Sequence, residues 1–501
     1  MKQFNLTGDP WIPVLRRDGR RSEVPLLELF ERGGEIVDLA VPPADRVALT
    51  RLLLCIVMRS LPNPPEYYAD WLELTPELIA KHAAEYLRKW RDAFDLYGDR
   101  AFLQVNGLER QNNASQDKLD FTLASGNNHT LFDHDAAEDG RPHSDAWLAR
   151  KLLVSQSFST GGTIGQNIWN GVPVPNSSGA SPLMEGSPLH VFCLGQNILD
   201  TLRLNLIPQA ELNKIKLGIP VWEDSPDGPA KAQEFDTTLF GRLVPISRAV
   251  KLTGDSSRVT VAEACRYSKQ PKFIDPYLSN KKSKDKKAEE KNLYLGIYPD
   301  RHPWRELESL LTLAGPGSGV TPPKNLLVKK YLPRESILRL WCGGVAAKKA
   351  NYTFTGEWTL SLPVWKISRS EFMLELFDFT KNAERIDDVL KKHIHKFWDT
   401  LSEIRKAEIK VAAGRDRAKA DAGREYWSRL NRAVPRFLAD EDGEPDFIPL
   451  YKELGKIAVD SFRENLPSTS PWHVMACGKV MHSFRSELNR IINPYLPKGE
   501  I

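Results

Sequence analysis

The 501-residue chain is poor in the features that mark metal modules, common enzymes and membrane proteins. Its five cysteines, Cys55, Cys193, Cys265, Cys342 and Cys477, are odd in number, far apart and never arranged as Cys-x-x-Cys. That excludes a zinc ribbon and a disulfide framework, and points to reduced, buried thiols. No Walker loop, Gly-x-Ser-x-Gly elbow or His-Glu-x-x-His helix occurs, which removes the commonest nucleotide, acyl-transfer and metalloprotease signatures. The longest apolar run, Val47 to Met58, is interrupted by Arg51 and is too short to cross a bilayer. The opening MKQFNLTGDPWIPV has no charged leader followed by an apolar core, so no signal peptide and no membrane partner are expected. Strong charge of one sign is missing too. With 69 basic and 65 acidic residues the net charge is +4. This allows a local nucleic-acid patch without demanding one.

What is present is ordinary globular composition, 41% apolar and 27% charged. The length implies two or three domains. Phe4 to Leu15 reads as a strand with a turn at Gly8-Asp9-Pro10, and Asp18-Gly19 as a hairpin signal. Asp45 to Arg59 reads as a buried helix, and Thr75-Pro76-Glu77 as the capped start of a helix through Tyr97. Leu189 to Leu206 suggests a strand running into a helix, while Ile219 to Trp222 and Leu243 to Val250 suggest short strands. This order predicts an irregular α+β fold rather than a wound parallel sheet. Beyond Pro363 the pattern changes. Helices are expected at Ser370 to Ala413 (with a break near Asn382), Ala418 to Leu438, Phe447 to Leu466 and Ser470 to Ile492. The expected organisation is a mixed α/β domain over 1–365 and a C-terminal four-helix bundle over 366–501.

The stretch from Lys118 to Gly171 carries the strongest hint of function. Ser125-Gly126-Asn127-Asn128-His129-Thr130 and Thr160-Gly161-Gly162-Thr163-Ile164-Gly165 bracket a helix expected over Ala146 to Ser157. Glycine lets a ligand approach main-chain N–H groups with no Cβ in the way, and asparagine offers both donor and acceptor. Such loops suit a nucleic-acid surface; the competing reading is a pair of ordinary turns. Lys281 to Lys291 (KKSKDKKAEEK) holds six lysines and three acids. It is either a solvated insertion or a tracker of phosphates. Cys342 to Asn351 reads as a glycine turn carrying Lys348 and Lys349, placed on a DNA surface or simply on the protein surface.

A standalone metal-dependent hydrolase is the alternative, resting on His134-Asp135 with His129 and His143 nearby. These intervals do not match helical ligand spacing, and His393-x-His395 points to different helix faces. No second cluster completes a two-metal site.

Taken in order, FNLTGDPWIPV, LASGNNHTLFDH, LLVSQSFSTGG, DPYLSN with its basic insertion and YPDRHPW, and GGVAAKKAN run along the whole chain. In this it resembles the large subunit of the type I-E CRISPR surveillance complex, the CasA family of Cascade. The resemblance implies a non-catalytic protein without a cofactor that reads the PAM in double-stranded target DNA. It implies contact with the guide RNA 5′ handle, with other Cascade subunits and with a recruited helicase–nuclease, in the cytoplasm. By the same resemblance Ser125, Gly126, Asn127, Asn128 and His129 dock on the handle and a neighbouring subunit. Thr160, Gly161 and Gly162 face the PAM, and the lysine finger falls at Lys269 or Lys272. Lys348, Lys349 and Ala350 form the wedge that splits the first base pair. The family commonly has glutamine before that alanine; a lysine there has no acceptor. The paired, zinc-suited cysteines of some relatives are missing here.

Overall fold

The computed structural model describes residues 2–109, 114–123, 143–160, 164, 167–174, 179–213, 215–252, 258–267, 273–282, 292–311, 320–348, 351–405 and 412–497. The chain divides into two compact units. One comprises Met1–Pro299, Ser309–Tyr331 and Arg339–Thr359; the other comprises Asp300–Glu308, Leu332–Leu338 and Leu360–Ile501.

Among the described residues of the first unit the strands form small sheets, three strands each, rather than one continuous layer. Ile12–Arg16 pairs antiparallel with Arg21–Val24 across the Asp18-Gly19 hairpin, where Gly19 has φ +81°. Ile36–Leu39 lies on its other edge. The strand expected from Phe4 begins only at Ile12. Asn5 gathers the preceding residues into a turn instead, its carbonyl accepting from Gly8 and Asp9 and its N–H donating to the Asp9 carboxylate. Ile219 to Trp222 is likewise not a strand. Gly218 (φ +69°) and the Glu223 N–H to Pro220 carbonyl bond turn the chain there. The strand expected from Leu243 starts later, at Arg248, because Leu243 closes a short helix capped by the Thr238 hydroxyl. The helix from Pro76 ends at Lys89, and a 3₁₀ turn, Arg91–Phe94, follows. Its cap is as expected, with the Thr75 hydroxyl accepting from Leu78 N–H.

The helix Pro43–Ser60 is buried on every side from Val47 to Val57. Arg51 sits inside this core with its side chain fully enclosed, 2.6 Å from the equally buried Asp275, and donates to the Arg242 carbonyl. A lone guanidinium there would be prohibitively costly, so the helix face and the Asp275 segment are mutually required. Short sheets also leave many edge groups to satisfy. Buried amides do this. Gln156 donates to the Leu103 and Arg248 carbonyls and accepts from Arg248 N–H. Gln104 links the Leu96 carbonyl to Leu252 N–H. Asn205 closes on both backbone groups of Cys193.

The second unit is dominated by four helices, Ser370–Arg405, Ala412–Ala439, Ile448–Glu464 and Pro471–Ile492, packed together through apolar faces. Phe372, Leu376, Phe379, Ile386, Leu390, Ile394, Phe397 and Leu401 of the first helix are all buried. Ser470 caps the last helix through His473 N–H, with Pro471 in its first turn. No break occurs near Asn382. Its amide donates to the Tyr451 hydroxyl and accepts from Arg385, so it does not compete for the helix backbone. Asp300–Glu308 joins this unit through side chains. Trp304 donates to Asn431, and Arg305 lies 3.6 Å from the centre of the Trp427 ring while pairing with Glu384.

Replacing Gln156 by leucine keeps the bulk of the side chain but strands three buried backbone groups. Each costs about 1–3 kcal/mol, so Gln156→Leu is expected to lower urea-unfolding stability by at least ~2 kcal/mol. A loss under ~0.5 kcal/mol would show that those groups find other partners.

Candidate nucleic-acid interface

The helix bracketed by the two Gly/Asn-rich loops runs over Asp145–Phe158, capped by the Ser144 hydroxyl accepting from Trp147 N–H. Its exit is clamped. The Ser155 carbonyl accepts from both the N–H and the hydroxyl of Ser159, Ser181 N–H donates to the Ser159 carbonyl, and Leu183 N–H donates to the Ser157 carbonyl. Thr160 follows directly and is half-buried; Gly161 and Gly162 lie outside the described residues.

The described residues on either side of the first loop are joined through side chains. His143 Nε2 is 2.6 Å from Asp117 Oδ1, and its ring stacks on Trp147 at 3.6 Å. Lys151 Nζ sits 3.1 Å from Asp45 and 3.2 Å from Asp120. Burial raises the Asp45 carboxyl above the usual carboxylate range, with the Lys151 charge acting against it. Ser125 to His129 lie outside the described residues, as do His134 and Asp135 of the hydrolase alternative. Among the described residues no group of three or more His, Cys, Asp or Glu is placed to hold a metal ion. Four cysteines are buried and Cys477 is half-buried, and burial pushes the Cys193 thiol up to about 12.

Of the residues read as a glycine turn, Cys342 to Lys348 are strand instead. Gly343 and Gly344 lie within the strand Ile337–Lys348, where Gly343 pairs with His190 of the strand His190–Leu194. A Cβ on Gly343 would meet the Trp341 ring at 2.6 Å and the Gly356 carbonyl at 2.9 Å; on Gly344 it would meet the Pro188 carbonyl at 2.8 Å. These glycines permit close packing inside a sheet. The strand ends at the exposed Lys348, and the following strand is Asn351–Pro363. Lys349 and Ala350, between the two, lie outside the described residues.

Described residues that flank three of these segments meet in one aromatic cluster. The ring of Phe121, just ahead of the first loop, lies 6.4 Å from Phe158, two residues before Thr160. It also lies 5.4 Å from Tyr352, beside the Lys348–Ala350 tip. Phe158 continues the cluster to the buried His190, which neighbours Phe192. Sequence reasoning missed Tyr352, His190 and this shared base, because aromatic residues so far apart along the chain carry no local signal. Lys269 and Lys272 lie outside the described residues. Their flanks are held, since Arg242 sits 5.0 Å from the Tyr267 ring and 5.7 Å from Phe273. The basic stretch begins in a hairpin, with Asn280–Lys282 pairing antiparallel to Asn292–Tyr294. Asn170 and Gly171 form the tight turn of another, Asn167–Trp169 with Val172–Val174, at φ +47° and +76°.

A family model described as CRISPR-associated protein Cse1 matches residues 5–463. A CasA/Cse1 protein of Thermus thermophilus is 28% identical over 480 residues, covering 90% of each chain. Among solved structures, Thermobifida fusca Cse1 superposes with a TM-score of 0.82 at 22% identity, covering 99% of both chains. Cse1 from Acidimicrobium ferrooxidans gives 0.77 at 22%, covering 99% of this chain and 100% of that one. A chain of a CRISPR RNA-guided surveillance complex gives 0.76 at 20%, covering 97% and 100%.

The shared base has a measurable consequence. Burial, reinforced by the charge of Arg51, holds the His190 imidazole well below its ordinary 6.5. Its folded form is neutral and its unfolded form protonates near 6.5. The stability tied to neutrality is therefore complete above that pH and is lost as pH falls below it, by up to about 1.4 kcal/mol per unit. His190→Leu is expected to flatten the decline in urea midpoint between pH 7 and 5; an unchanged slope would show that His190 does not contribute.

Proposed function

Because the chain belongs to the CRISPR-associated Cse1 (CasA) family, the Cascade large subunit, we propose that it recognises the PAM in double-stranded target DNA within an RNA-guided type I-E complex. In this reading it promotes strand opening and R-loop formation, performs no bond chemistry itself, uses no cofactor, and recruits a helicase–nuclease. It works in the cytoplasm beside the guide RNA 5′ handle and other Cascade subunits. The observation that supports this best is that Phe121, Phe158 and Tyr352, each close in sequence to one of the candidate segments, meet in one aromatic cluster within one unit.

The division of labour follows from groove chemistry. A minor groove offers nearly degenerate base edges, so a reader there gains from close main-chain approach more than from side-chain variety. Thr160, Gly161 and Gly162 would supply that approach from the clamped end of their helix. Lys269 or Lys272 would add a charged donor, and Lys348, Lys349 and Ala350 would enter beside the first base pair. Ser125 to His129 would dock the subunit on the handle. Lysines bind phosphate as mobile point charges and supply affinity without reading sequence, which the guide does by base pairing. A net charge of only +4 fits a protein that holds DNA as part of a larger assembly.

Gly161→Asp in the assembled complex should abolish PAM-dependent duplex binding in a mobility-shift assay while leaving the fold intact by circular dichroism. Unchanged binding would remove the glycine loop from the site. Lys348→Ala combined with Lys349→Ala should reduce permanganate reactivity of thymines beside the PAM, and normal reactivity would remove the wedge.

A further inference from the structure

Ser187 is strained for a reason that the strand Ile337–Lys348 explains. It is one of three non-glycine residues with positive φ among those described, at +48°, directly after Gly186 at +73°. The left-handed region crowds a serine Cβ against the backbone, and such strain persists only where the surroundings impose it. Three hydrogen bonds impose it. Ser187 N–H donates to the Met184 carbonyl at 3.2 Å, its carbonyl accepts from Ile297 N–H at 2.9 Å, and its hydroxyl accepts from Ala347 N–H at 3.1 Å.

The third bond matters for placement. His190–Leu194 pairs with Ile337–Lys348 only as far as the rung His190↔Gly343. Beyond Gly343 that edge has no ladder partner from this strand. Ala347 is one residue from the exposed Lys348, and the Ser187 hydroxyl takes up its N–H. On the other edge the Thr355 and Thr353 hydroxyls donate to the Gly344 and Ala346 carbonyls. The overhanging arm is thus laddered to Asn351–Pro363 on one edge, with the threonine hydroxyls added to that pairing, and is tied on the other edge by the Ser187 hydroxyl.

We infer that Ser187 is a positioning residue for strand opening, fixing the arm that ends in Lys348 against the turn Met184–Ser187. The inference rests on the proposed wedge role of Lys348. Ser187 touches no DNA; it acts by limiting the swing of the arm, so that Lys348 is presented to the first base pair from a fixed strand.

Two substitutions separate the hydroxyl from the backbone. Ser187→Gly accepts positive φ and removes the acceptor; Ser187→Asn tolerates positive φ and restores a side-chain carbonyl. Complexes assembled with guide RNA would be mixed with target duplex carrying 2-aminopurine at the first PAM-proximal pair, and with the same target pre-melted there. Ser187→Gly is expected to slow opening of the intact duplex about fivefold, the scale of one ordinary hydrogen bond. It should bind the pre-melted target normally and melt no earlier than the parent protein, while Ser187→Asn recovers the rate. If Ser187→Gly opens duplex at the parental rate while Lys348→Ala is slow, the positioning role is overturned and the wedge survives. Normal opening by both variants overturns the wedge and the positioning role together. Equal losses by Ser187→Gly on intact and pre-melted targets would also overturn it, as a general defect.

Discussion

Everything in the first unit depends on meeting the hydrogen-bonding demands of a backbone whose described strands form several small sheets. Small sheets have edges on both sides, and edges inside a protein cannot be left to water. The chain answers with buried amides. Gln156 reaches from a helix to the strand Arg248–Leu252, Gln104 closes onto the far end of that same strand, and Asn205 seals Cys193 while accepting from Asn325. The Arg51–Asp275 pair is the charged version of the same solution, binding the central helix to the segment after the candidate lysine finger. Unpaired, any of these groups would cost more than a typical apolar contact contributes.

That constraint has a functional corollary. The described ends of two candidate segments are held firmly. Thr160 leaves a helix whose last turn is tied down by Ser155, Ser159 and Ser181, and Lys348 ends a strand gripped by Ser187 and Thr353. A loop that starts from fixed ends loses less entropy on binding than one that must first be ordered. For the proposed role, precise approach from fixed ends would substitute for a large charged surface.

The bundle follows simpler rules. Its apolar spacing predicted four long helices, and these are present, because a helix stripe of period 3.6 must be buried and here the four stripes bury one another. Asn382 misled as a break, since its partner Tyr451 lies 69 residues away and no local pattern announces it. The glycines at 343 and 344 misled in the opposite direction. Read alone they suggest a turn, yet the crowding comes from Pro188, Trp341 and Gly356, so they mark close strand packing.

By itself the sequence determined the class of fold, the capped helix starts at Thr75 and Ser470, the Asp18-Gly19 hairpin and the family, because each rests on neighbours along the chain or on motifs kept in order. Only the tertiary structure decided that Phe121, Phe158 and Tyr352 share one base, that Arg51 finds Asp275 across 224 positions, and that Ser187 supports the strand leading to Lys348. The energy that selects such distant contacts comes from burial and hydrogen-bond completion, which exist only once the chain has closed on itself.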